Sequence, residues 1–150
     1  MNIEVATFIS TIIAALISSG VALFVFCKNN NANQINILNA QLDTLLRISV
    51  KYPYLESISF TYTWKDNNKN EDEKYRRYES YATMVFNFLE RMCKFYNYNE
   101  KKINAFLNVK GWVEIHKYYW HYPTIPNENE KSYDEKFKNY ICKILGEISQ

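Results

Sequence analysis

The chain begins with an apolar run. Residues 5–26 read VATFISTIIAALISSGVALFVF and carry no charge. At 1.5 Å per residue a helix of this length spans roughly 33 Å, enough for a hydrocarbon core of about 30 Å. A secretory signal peptide would need a basic start, a shorter apolar run and a small-residue cleavage site. Here the start is MNIE, and apolar residues continue past Ser18, Ser19 and Gly20. The pattern predicts an uncleaved transmembrane helix over residues 5–27, preceded by a short tail at 1–4.

After it the period changes. NNNANQ at 29–34 is polar and reads as a short linker or cap. Ile35, Leu38, Leu42, Leu45 and Ser49 then follow a heptad-like spacing, with Leu46 beside them, which predicts an amphipathic juxtamembrane helix from about residue 33 to 51. Residues 28–51 therefore form linker plus helix. Two heptads do not make a coiled coil, so packing on the chain's own domain is the simpler reading and a membrane-proximal oligomer stalk the alternative. Pro53 ends the helix, because the residue before a proline avoids the α region.

Residues 52–150 read as a small helical domain. SISFTYTW at 57–64 alternates Ile58, Phe60, Tyr62 and Trp64 with Ser and Thr, the best strand pattern present. It has no partner strand to satisfy its backbone. An extended loop or short helix laying aromatics on the core is the preferred reading. A polar loop follows at 65–74. Asp72 is placed to cap a long helix over 73–96, with Tyr75, Tyr78, Ala82, Val85, Leu89, Met92 and Tyr96 on one stripe and Tyr81, Met84, Phe88 and Phe95 widening it. Asn99 caps a short helix over 100–109, and Lys110–Gly111 is expected to break the chain. Trp112, Ile115, His116, Tyr119 and Trp120 predict another helix, stopped at Tyr122–Pro123. Ser132 and Glu135 suggest a capping box for a last helix carrying Tyr133, Phe137, Tyr140, Ile141, Ile144, Leu145 and Ile148 on its inner face. The fold class is all-α: a transmembrane helix, a juxtamembrane helix and a small cytosolic helical domain.

Charge narrows the partners. Of 150 residues 18 are Lys or Arg and 16 Asp or Glu, a net charge of +2 with the signs mixed. Nucleic-acid binding calls for a basic face and is not expected. All Lys and Arg follow the span, starting with Lys28. The positive-inside rule therefore places the C-terminal domain in the cytosol and the N-terminus outside. Cys27, Cys93 and Cys142 are three and widely spaced, which suits reduced thiols rather than a disulfide framework. Within the span Thr11, Ala15, Ser18 and Ala22 form a stripe of small residues that would let two helices approach closely. The expected partners are the lipid bilayer, a second copy of the chain, and a protein or small molecule.

Chemistry has one candidate region. WVEIHKYYWHYP at 112–123 holds both histidines and two of the three tryptophans. His116 and His121 are five residues apart, about 140° around a helix, so they do not share a metal. No glycine-rich phosphate loop is present, and Cys93 lies in an apolar helix without a catalytic companion. Neither a catalytic residue, a metal nor a cofactor is assigned. Packing explains the rings. The competing reading is a pocket of Arg91, Trp112, His116 and Trp120 that stacks and neutralises a small anion.

The stretches KYPYLE at 51–56, YRRYESYATMVFNFLERMCKFY at 75–96 and GWVEIHKYYWHYP at 111–123 resemble small bacterial single-pass membrane proteins with a C-terminal helical domain. That group carries no catalytic motif to transfer. The resemblance implies a bacterial inner-membrane location. The expected function is non-enzymatic: self-association or partner binding at the cytosolic membrane face. A ligand-gated, membrane-perturbing effector is the alternative, and a membrane-tethered enzyme the third.

Overall fold

The structure, a computed structural model, describes residues 3–67, 72–122 and 132–146, with side chains from residue 11 onward. Among them the fold is all-α, with no strand. Helix α1 runs Ile3–Lys51, α2 Ile58–Asn67, α3 Glu73–Phe95, α4 Glu100–Phe106, α5 Val109–Trp120 and α6 Glu135–Leu145; a 3-10 turn at Pro53–Glu56 joins α1 to α2. The chain divides into two compact units, Met1–Ile37 and Leu38–Gln150.

The first unit is helical throughout its described length. Within Thr11–Lys51 an 18-residue window reaches a mean hydropathy of 2.0, and none of it is buried. By length and composition this helix can cross a membrane. The linker expected at 29–34 is absent, because α1 continues unbroken through NNNANQ. Asn is a middling helix former rather than a breaker, and no Gly or Pro interrupts the run.

The second unit is built around α3. Its buried residues are Tyr75, Tyr78, Tyr81, Ala82, Val85, Phe86, Phe88, Leu89, Met92 and Cys93. Asp72 caps it, accepting from the Lys74 amide, as its position in the sequence suggests. Met84 lies outside the stripe and is exposed. Residues 38–51 of α1 bury Leu38 and Leu45 in the same core, with Leu42 and Ile48 packed at its edge. The heptad-like spacing thus serves packing on the chain's own domain.

Residues 57–64, strand-like in sequence, belong to α2. Alternate apolar residues lie about 200° apart on a helix, so they divide between faces. Thr61 and Trp64 turn inward, while Ile58 and Tyr62 stay outside. No neighbouring strand is present among the described residues to pair the backbone, and helix formation satisfies it internally.

Helix α5 starts earlier than its glycine suggests. Asn108 is its cap, its side chain accepting from the Gly111 amide at 3.2 Å, so Gly111 lies within the first turn instead of ending a helix. The start of α6 also moves. Asp134, not Ser132, caps it, accepting from the Phe137 amide at 2.8 Å. Gly146 ends α6 at φ +73°, a left-handed cap that a Cβ would strain. Asp134 also pairs with Lys94 at 2.9 Å, tying α6 to α3. Asp134→Ala should therefore lower unfolding stability by about 1 kcal/mol, the usual effect of losing a cap. Urea titration followed by circular dichroism reads this, and an unchanged midpoint would contradict the assigned cap.

Candidate functional site

The aromatic stretch of α5 is divided by helical geometry. Tyr119, Trp120, Val113 and His116 face inward, while Trp112 and Ile115 sit half-buried at the edge. Trp120 has no exposed surface and meets Phe86, Tyr133 and Phe137 at ring distances of 4.8, 5.3 and 5.7 Å. Trp112 packs edge-on against Phe88, at 6.1 Å. His116 lies between Tyr78 and Tyr81. Arg91 is exposed on α3. The four residues of the anion-pocket reading therefore have different neighbours. A cleft needs its rings at a surface, and here His116 and Trp120 are enclosed by protein.

What His116 does have is a polar network. Its Nδ1 is 3.1 Å from the Tyr78 hydroxyl, and its Nε2 lies 3.7 Å from Glu56 Oε1. Tyr81 donates to the same carboxylate oxygen. Burial pushes the Glu56 carboxyl up, but the His116 imidazole and the Tyr81 phenol outweigh it and hold the group below its ordinary value. Burial, with Glu56 adding to it, raises both the Tyr78 and the Tyr81 phenol, so both stay protonated, and Tyr81 is the donor to Glu56. The network joins the 3-10 turn to α3 and α5. Arg77 reinforces the same junction. It donates to the Tyr54 hydroxyl at 2.8 Å, pairs with Glu73, and lies 4.1 Å above the Tyr52 ring.

Sequence inspection does not find this network. Glu56 and His116 are sixty positions apart, and no periodicity links them. Glu114, closer in sequence, pairs with Lys110 instead, at 3.7 Å. The Cys93 thiol is buried and pushed up to about 12, chiefly by desolvation, which makes it a poor nucleophile. Among the described residues no group of three His, Cys, Asp or Glu side chains is placed to hold a metal ion.

Two surfaces of α1 are open. In the first unit Thr11, Ala15, Ser18 and Ala22 are all exposed, and the neighbouring Ser19 hydroxyl is bound to the Ala15 carbonyl at 2.8 Å. In the second unit a shallow depression is lined by Asp43, Leu46, Arg47 and Val50. Leu46 is 45% and Val50 79% exposed; at 100° per residue Leu46 lies on the flank of the stripe that buries Leu38 and Leu45, and Val50 is turned further from it. The heptad reading of the sequence set Leu46 beside its stripe and did not place Asp43, Arg47 or Val50, because its spacing selects the core face.

No known protein family, curated protein or solved structure matches this chain.

Proposed function

We propose that this protein is a single-pass, membrane-anchored helical protein that works by binding, to a second copy or to a partner, at the cytosolic face of a bacterial inner membrane. The observation that carries the reading is the apolar part of α1. Its window is hydrophobic enough for a bilayer and wholly unburied within the chain. Apolar surface of that extent needs a cover, and a hydrocarbon core matches its length. Lys28 and Arg47 follow the span, and no Lys or Arg precedes it, which favours an external N-terminus. The helical unit would then sit in the cytosol, where the thiols of Cys93 and Cys142 remain reduced.

Cell fractionation tests the anchor. The full chain should stay with membranes through an alkaline wash. Ile17→Asp places a charge near the centre of the span, at a cost of about 2.5–3.5 kcal/mol, and should shift the chain out of the membrane fraction. A wild-type chain released by alkali would overturn the anchor. A C-terminal tag digested by protease added outside spheroplasts would overturn the orientation.

A further inference from the structure

We infer that residues 57–64, helical in the folded chain, are the segment through which a second copy of this chain pairs, strand against strand, when α2 opens. The inference deepens the self-association side of the role proposed above, and rests on that reading only for bringing copies together.

The segment carries a pattern that its own helix does not use. In a strand successive side chains alternate between faces, so Ile58, Phe60, Tyr62 and Trp64 share one face and Ser57, Ser59, Thr61 and Thr63 the other. In α2 the same four apolar residues are divided. Phe60 and Trp64, one turn apart, point to the bundle. Phe60 meets Tyr54, Tyr75 and Tyr78 at ring distances of 4.8, 5.6 and 5.7 Å. Trp64 meets Tyr78, Tyr119 and Tyr122 at 5.3, 5.6 and 5.1 Å. Ile58 and Tyr62 lie on the other side, 66% and 48% exposed, with Tyr62 resting edge-on against Tyr118. Half of a strand face is left in solvent.

Composition points the same way. Residues 58–64 read ISFTYTW. None is among the stronger helix formers, and all but Ser59 belong to the β-branched and aromatic types enriched in strands. The run holds no charge, Pro or Gly, the composition of segments that pair between chains. The Thr61 hydroxyl bonds back to the Ile58 carbonyl, and that of Thr63 to Ser59 and Phe60, an arrangement that slightly weakens a helix. Tertiary contacts through Phe60 and Trp64, rather than local preference, hold the segment helical.

What the strand form lacks is a neighbour, since no strand is present among the described residues. An identical segment supplies one. Pairing parallel in register, or antiparallel about Thr61, keeps the four apolar residues of both copies on one face, and the two backbones bond each other. A partner of other sequence must match this two-residue alternation, whereas a second copy matches it by identity. Local opening of α2 makes the segment available.

The test uses the detergent-extracted full chain, incubated across urea concentrations up to its unfolding midpoint. Infrared amide I spectra read strand pairing between chains, and sedimentation reads assembly. Wild type should gain the strand band in the sedimenting fraction. Ile58→Lys and Tyr62→Lys change side chains that are exposed in the helix, so the urea midpoint should stay close to wild type. Each should slow the appearance of the strand band roughly tenfold, because a charge on the strand face blocks pairing. Met84→Lys, the same change at an exposed apolar residue of α3, should not slow it. Wild type that sediments without the strand band, or lacks the band at every urea concentration, would overturn the inference. So would a Met84→Lys chain slowed as much as Tyr62→Lys. These readouts involve no bilayer, so their failure leaves the anchor standing. A chain that washes off membranes with alkali yet forms the band loses the anchor and keeps the pairing.

Discussion

Trp120→Ala is expected to destabilise the helical unit by about 3–5 kcal/mol, the range for removing a large aromatic from a packed core. The ring is fully enclosed and touches α3 through Phe86 and α6 through Phe137, with Tyr133 stacked on it. Deleting it leaves a cavity where three segments meet. A domain of this size has only about 5–15 kcal/mol of net stability, so the variant should unfold at much lower urea. Trp112→Ala is the paired comparison. Its ring is half-buried and rests on Phe88 alone among the aromatic contacts, so a loss of about 1 kcal/mol is expected. Urea titrations of the full chain in detergent, followed by circular dichroism at 222 nm, measure both. Equal midpoints for Trp120→Ala and wild type would mean that the ring is not in the core.

The second large effect concerns Glu56 and His116. His116→Leu keeps the apolar volume but leaves the Tyr78 hydroxyl without its partner inside the protein and removes the imidazole that lies 3.7 Å from the Glu56 carboxylate. Leaving a buried polar group unsatisfied costs about 1–3 kcal/mol. The pH dependence follows from the carboxyl. Its value in the folded chain lies below the ordinary value near 4.5, so folding favours the carboxylate. That contribution is complete above the unfolded value and is lost as pH falls through the lower folded value. Glu56→Gln removes the charge while keeping an oxygen for Tyr81 to donate to. The stability gap between wild type and Glu56→Gln should be widest near neutral pH and close as the solution is acidified below about 4.5. A gap that widened on acidification would mean that the folded chain prefers the protonated acid. Combining His116→Leu with Glu56→Gln should cost less than the sum of the two, because both act on one contact.

These experiments bear on what the α5 histidine is for. In sequence the cluster at 112–123 has the composition of a site, with two imidazoles, indoles and phenols close together. In three dimensions the helix sorts them. His116 goes to a buried network that fastens the turn after α1 to α3 and α5, and Trp120 goes to the centre of the core. The exposed apolar residues of α1 lie elsewhere, at positions of ordinary composition.

The sequence by itself determined the all-α class and the long apolar helix at the start. It also determined the inward stripe of α3 and the cap at Asp72. These are local properties: hydrophobic period, capping chemistry and the absence of charge act over one or two turns. It also determined that His116 and His121 cannot share a metal, because five residues on a helix point apart. Other features needed the tertiary structure. The alternation at 57–64 became a helix because no strand among the described residues lies beside it and the α3 and α5 core receives Trp64. The polar run at 29–34 stayed helical because nothing in it breaks a helix. The cap of α6 moved from Ser132 to Asp134, which is also held by Lys94 of α3. Glu56 met His116 through packing between residues far apart in the chain. A periodic pattern records which side of a helix is apolar, whereas only the assembled bundle decides which apolar side is left without a neighbour.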